Sequence, residues 1–264
     1  VFDVVLTDPP YDAHCQANQT SGTAMKRMVN GETKSTGIPK VDLPFPPLDD
    51  YAFAPDLVRV ARRWALSFST VEAFGEFRRA CGPNYIRGCV WYKPNAMGQM
   101  TGDRPASCYE GIACLHKGKK AWNGRGSYGL WPCNGTRGKK DRHPNEKPLD
   151  LCLKLIALFS NRGETIFDPF CGSAAIGEAA LRLGRKYIGL DQDPEWVVKA
   201  RARLEAVTFG STSDEQALAL CTAKRADITA DGWEPCEDRP RGPCMCLSAT
   251  EFEPRRTDLC ELHR

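Results

Sequence analysis

The chain has 264 residues, 42% of them hydrophobic and 26% charged, with a formal net charge of +3. That is long enough for one α/β domain with a sizeable core plus an appendage, and the composition is ordinary for a soluble protein. No run approaches the roughly 18 consecutive apolar residues of a membrane-spanning helix, and no basic-apolar-small leader is visible.

The thirteen cysteines are an odd number. Without a leader, that argues against a disulfide framework and for a reducing cytoplasm. Cys15, Cys81, Cys89, Cys108, Cys114, Cys133, Cys152 and Cys171 read mostly as small buried hydrophobes. The chain opens on Val1 directly at an apolar run, which leaves open a fragment or a non-standard start codon.

Val1 to Thr7 is a short β-branched and apolar run, broken by two prolines. It reads as a buried strand ending in a loop. Asp8-Pro9-Pro10-Tyr11 then stands at the C-terminal end of a strand, where open α/β sheets bind ligands. Two prolines fix φ and donate no N–H, so the loop is stiff and its carbonyls stay free to accept. An acid, rigid carbonyls and an aromatic ring side by side suit a planar heteroaromatic amine. The plainer alternative is a strand stop in which Asp8 caps and Tyr11 packs.

Asp12 to Asp50 is polar and shows no sustained period. It is expected to form either a lid over the site or a plain surface insertion. From Pro55 the spacing of Leu57, Val58, Ala61 and Trp64 predicts a helix, followed by a strand over 65–69. A second helix is expected from Val71 to Cys81, stopped by Gly82-Pro83. Ile86–Lys93 and Tyr109–His116 read as an antiparallel hairpin at the sheet edge.

Residues 117–142 hold eight Lys and Arg against one acid, interleaved with Trp122, Tyr128 and Trp131. Cations and aromatics on a glycine-rich backbone suit phosphate contacts and base stacking; a solvated loop is the alternative. Leu149 to Asn161 is expected as an amphipathic helix with Leu149, Leu153, Ile156 and Phe159 buried, and Gly163 as its C-terminal residue.

Strand 165–167, the turn Asp168-Pro169-Phe170-Cys171-Gly172-Ser173, a small-residue helix, strand 186–190 and Asp191 follow one another. A helix then starts at Asp193-Pro194, with Trp196, Val197, Ala200 and Leu204 expected to face inward. This is the grammar of a doubly wound, Rossmann-like nucleotide-binding sheet. Asp191 can accept from ribose hydroxyls, and Gly172, Ser173 and Ala174 let a ligand approach the backbone. There is no GxGxxG and no phosphate-loop lysine. The ligand should therefore contain a ribose without needing phosphates, which argues against a dehydrogenase or an NTPase.

Together, Asp8-Pro9-Pro10-Tyr11, Asp168 to Ser173 and Tyr187-Ile188-Gly189-Leu190-Asp191 resemble the S-adenosylmethionine-dependent DNA amino-methyltransferases. Asn145-Glu146-Lys147-Pro148-Leu149 is similar to the lysine-proline element before their cofactor motif. The catalytic motif comes first and the cofactor motif late, as in the family's β-class. The resemblance covers about residues 1 to 207.

It implies a mostly parallel sheet with an antiparallel edge hairpin, S-adenosylmethionine as cofactor and double-stranded DNA as substrate. Asp8, Pro9, Pro10 and Tyr11 would act on a flipped base, with Asp8 also touching the cofactor. Asp168, Pro169, Phe170, Cys171, Gly172 and Ser173 would line the methionine side, Asp191 the ribose, and Lys147 with Pro148 a neighbouring wall. Lys119, Lys120, Trp122, Arg125, Tyr128, Arg137, Lys139 and Lys140 would meet DNA. Asp at the first motif position leans toward adenine N6, with cytosine N4 as the alternative. An RNA or protein amide methyltransferase, or a DNA-binding relative without activity, are further alternatives. Ala174 replaces the glycine usual in the family. No restriction domain is visible, which fits a solitary or phage-encoded modification enzyme acting as monomer or homodimer.

The domain is expected to span residues 1–209, with a Cys-rich extension over 210–264. There Cys236, Cys244, Cys246, Cys260 and His263 fall within 28 residues. Thiolates and imidazole at short spacing suit a zinc site; the alternative is a tail with incidental cysteines.

Overall fold

The computed structural model describes residues 1–11, 24–29, 32–37, 47–48, 50–96, 105–118, 120, 122–136 and 146–222. All lie within the compact unit Val1–Ala223. The Cys-rich cluster expected to bind zinc lies outside the described residues.

The main sheet has seven strands in the order β7-β5-β6-β4-β1-β8-β9. These are β1 (Phe2–Thr7), β4 (Ala61–Ser69), β5 (Tyr85–Tyr92), β6 (Tyr109–Leu115), β7 (Leu130–Pro132), β8 (Thr165–Asp168) and β9 (Lys186–Gly189). Only β6 runs against the others, pairing antiparallel with β4 and β5. The hairpin is therefore internal, because the three-residue β7 pairs with β5 and takes the edge.

β1 lies inside the sheet between β4 and β8 and is buried on both faces. Val4 and Leu6 join one core cluster and Val5 the other, following the two-residue period of a strand. Helices α1 (Ala54–Val60) and α2 (Phe74–Cys81) cover the Val5 face through Leu57, Val58 and Phe77. Helices α3 (Leu149–Phe159), α4 (Ala175–Arg182) and α6 (Asp214–Ala219) contribute to the Val4 and Leu6 face. Helix α5 (Pro194–Glu205) packs on α4. The result is the three-layer, Rossmann-like α/β architecture expected from sequence.

Several expectations need correction. Helix α1 ends at Val60, and Ala61 to Trp64 are strand, because their backbone pairs with β1 from Phe2↔Ala61 onward. The polar stretch after Tyr11 contains an antiparallel pair, β2 (Ala24–Val29) and β3 (Glu32–Gly37). The sequence signal was Asn30-Gly31, the strongest short hairpin marker. Helix α3 buries every residue from Leu151 to Phe159 rather than one stripe, because the sheet, α4 and α6 all pack on it. On α5 only Ala200 is buried, and Val197 is 37% exposed. The compact unit also continues past residue 209: α6 opens on a Ser213–Gln216 capping box and packs on α3. Among the described residues, no helix is long and apolar enough to cross a membrane.

Candidate active site

Parallel strands β1, β4, β8 and β9 all end on one edge of the sheet, and the antiparallel β6 begins there. That edge collects Asp8, Asp168 and Asp191 from strand ends and Glu110 from the start of β6. Lys93 follows β5, and Lys147 precedes α3.

Asp8 leaves the ladder because Pro9 and Pro10 cannot continue it. Its Oδ2 accepts from Lys147 Nζ at 2.6 Å. Its Oδ1 is buried and has no hydrogen-bond partner among the described residues. Burial raises the Asp8 carboxyl above the usual range, opposed by the Lys147 ammonium and assisted by Glu110. A buried acceptor left unpaired costs on the order of 1–3 kcal/mol, so this oxygen is suited to accept from a ligand.

Lys147 is itself buried, and its Nζ also lies 3.4 Å from Glu110 Oε2. Burial works against its charge, but Asp8 and Glu110 outweigh burial and hold it above the ordinary lysine range. Glu110 accepts from Lys93 Nζ at 2.5 Å and from the Tyr11 hydroxyl at 2.6 Å. Burial pushes its carboxyl up, yet Lys147 and Lys93 pull it down to about 2. Asp8, Glu110, Lys93 and Lys147 thus form a balanced quartet beside the Tyr11 ring, whose centroid is 5.3 Å from Lys147 Nζ.

The second half of the site is the loop after β8. Asp168 is buried, receives the Thr7 hydroxyl at 2.7 Å and the Tyr187 hydroxyl at 3.3 Å, and accepts from Phe170 N–H at 3.2 Å. Burial pushes its carboxyl to about 7, against the Thr7 and Phe170 hydrogen bonds. Cys171 N–H donates to the Leu190 carbonyl at 2.8 Å, and Gly172 N–H to Asp191 Oδ2 at 2.8 Å. Asp191 Oδ1 accepts from Asp193 N–H at 2.9 Å. Both Asp191 oxygens therefore brace the loop, and their remaining lone pairs are what a ribose could use.

Tyr187 lies over Gly177 and Gly189, where an added Cβ would come within 2.5 Å of its ring or hydroxyl. Ala174 takes the left-handed conformation at φ 58° and is fully buried. That explains why a glycine would fit this position, at a strain of about 1–2 kcal/mol for alanine.

Arg203 on α5 donates to Glu178, to Glu146 and to the Ser173 carbonyl, tying three elements to the loop. Beyond Asp191, a cavity of about 560 Å³ opens between the β9 end and α5, lined in part by Asp191, Gln192, Val197 and Arg201. It is the size of a small-molecule pocket.

Residues 77–201 match the family described as DNA methylase. Over that span, just under half of its length, the chain is similar to this family. It is 45% identical over 65 residues to the Type II methyltransferase M2.DpnII of Streptococcus pneumoniae, covering 25% of this chain and 24% of that protein. It is 25% identical over 239 residues to the Type II methyltransferase M.HinfI of Haemophilus influenzae, covering 78% and 64%. The chain thus spans less than two thirds of both relatives.

Among solved structures, the M1.HpyAVI-SAM complex has a TM-score of 0.56 at 20% identity, covering 77% of this chain and 88% of that one. The PvuII DNA methyltransferase, described as cytosine-N4-specific, has a TM-score of 0.52 at 13% identity, covering 82% and 83%. Both likenesses concern the fold.

Within this DNA methylase fold, the residues singled out from sequence at Asp8 to Tyr11, at Lys147-Pro148, at Asp168 to Ser173 and at Asp191 share one sheet edge. Lys147 stands against Asp8. The basic stretch divides. Trp122 is half-buried with its ring 5.6 Å from that of Phe159, and Trp131 is fully buried. Asn123 donates to the Ala157 and Ser160 carbonyls at the end of α3. These residues anchor the loop. Arg125 is exposed, Tyr128 is 83% exposed and Lys120 is half-buried. Lys119, Arg137, Lys139 and Lys140 lie outside the described residues.

Thr7, Lys93, Glu110 and Arg203 were not singled out from sequence, and Glu146 and Tyr187 only as members of their motifs, without a role. Glu110 opens an antiparallel strand, and no local motif marks it.

Proposed function

We propose that this protein transfers the methyl group of S-adenosylmethionine to the exocyclic N6 of adenine in DNA. The family match and the Type II methyltransferase relatives support a DNA amino-methyltransferase, and Asp8-Pro9-Pro10-Tyr11 leans toward adenine. The observation that carries the reading is Asp8: one oxygen is held by Lys147, and the other is buried without a partner among the described residues.

The residues fit the cofactor. Its cationic methionine end would meet the Asp168 carboxylate, Gly172 has open space where a side chain would stand, and Asp191 would take the ribose beside the cavity. When bound, S-adenosylmethionine supplies a methyl carbon that the amine nitrogen takes as the carbon–sulfur bond breaks, its electron pair leaving with sulfur.

The amine of adenine is a poor nucleophile because its lone pair is delocalised into the ring. Asp8 Oδ1 and the Pro9 carbonyl would each accept one N–H, drawing the nitrogen toward tetrahedral geometry. The proton the amine sheds passes to Asp8 and on to solvent. Tyr11 would stack on the base once it has left the helix. Lys120, Arg125 and Tyr128 would contact the DNA strand. Most of the rate enhancement then comes from positioning.

The test is Asp8→Ala. Methyl transfer to DNA should fall by about a hundredfold or more. Transfer at the wild-type rate would remove Asp8 from the chemistry.

A further inference from the structure

Glu110 has no part in the reading above, yet three groups of the site converge on its carboxylate. Oε1 takes Lys93; Oε2 takes the Tyr11 hydroxyl at 2.6 Å and lies 3.4 Å from Lys147 Nζ. Lys147 in turn holds Asp8 at 2.6 Å. One carboxylate therefore ties the aromatic ring to the lysine that orients the reacting acid.

We propose that Glu110, assisted by Lys93, is a positioning residue for methyl transfer, fixing the Tyr11 ring and the Lys147–Asp8 pair in one geometry. This rests on the methyl-transfer reading.

The chemistry supports it. A tyrosine hydroxyl donated to a carboxylate is a strong, directional bond, and it sets the ring's tilt. The Lys147 ammonium would otherwise be a buried charge satisfied by Asp8 alone, and Asp8 would be held more tightly as an ion pair. Sharing Lys147 between two carboxylates leaves Asp8 a better acceptor for an amine proton. Lys93 keeps Glu110 charged: the two lysines together hold its carboxyl near 2. The groups that act on Asp8 are Lys147, Glu110, Lys93 and Asp168, and the buried Cys152 thiol is close enough to interact with it.

Glu110→Gln keeps the shape and removes the charge. In steady-state methyl transfer to DNA, kcat should fall roughly ten- to a hundredfold. KM for S-adenosylmethionine should stay within about twofold, since Asp168 and Asp191 are untouched. The acid limb of the kcat profile should move to lower pH, because the Glu110 charge raises the Asp8 carboxyl. A residue serving only the fold would lower the melting temperature and leave that limb in place.

A second measurement needs no activity. Melting temperatures of Asp8→Asn, Glu110→Gln and the double variant should be non-additive. Each single variant leaves Lys147 one carboxylate, and the double leaves it none. Unchanged kcat with an unmoved acid limb, or additive melting losses, would overturn the role of Glu110. An inactive wild-type protein would instead overturn the methyl-transfer reading on which it rests.

Discussion

Burial lifts the Asp168 carboxyl to about 7, and hydrogen bonds from Thr7 and Phe170 limit that rise. Its folded pKa is thus raised above the unfolded value of 3.8. The unfolded chain gives up this proton first, so this group's contribution to stability falls as pH rises from about 4 to about 7, then levels. A bound cation would reverse the preference and draw the carboxyl to its anion. Cofactor affinity measured by calorimetry should therefore rise several-fold between pH 6 and pH 7.5. Asp168→Asn should weaken binding and abolish that dependence. A flat profile in the wild-type protein would remove Asp168 from the cofactor's charged end.

At the scale of elements, Arg185 shows what holds the β8–β9 half of the sheet to its helices. It is fully buried just before β9 and donates to the Ser160 hydroxyl and carbonyl and to the Leu183 carbonyl. It also pairs with Asp214 of α6 at 2.6 Å. Arg185→Ala should cost about 3 kcal/mol in a urea unfolding curve, since it leaves buried acceptors unpaired and a void. A loss under about 0.5 kcal/mol, as for an exposed position, would show that the cluster is not structural.

Elements whose ends carry their own punctuation were legible in the sequence. Pro9-Pro10 ends β1 and Asp193-Pro194 starts α5, whereas Gly163, read as the C-terminal residue of α3, lies beyond the Ser160 that caps it. Ala61 to Trp64 were misread because their apolar spacing suits a helix as well as a strand, and pairing with β1 decided the matter. β7 is three residues long, too short to show a period. The stripe on α3 was real but incomplete, because burial by α6 depends on a helix remote in sequence.

For the whole molecule, the sheet order brings Asp8 after β1, Lys93 after β5 and Glu110 at the start of β6 to one edge, where Lys147 joins them from the segment before α3. The positions of the loop after β8 and of Asp191 were legible because each motif is local. The lysine–glutamate cluster was not, because an antiparallel strand places its first residues where its parallel neighbours place their last. The same topology sets the cavity beside Asp191 and the unpaired Asp8 oxygen on one edge, an arrangement the proposed methyl transfer between two bound partners requires. The measurement that tests this most directly is mass spectrometry of nucleosides from DNA incubated with the protein and S-adenosylmethionine. N6-methyladenine in the wild-type reaction, lost with Asp8→Ala, is the expected result. N4-methylcytosine would assign the other base to the same amine grip, and DNA without any methylated exocyclic amine would contradict the account.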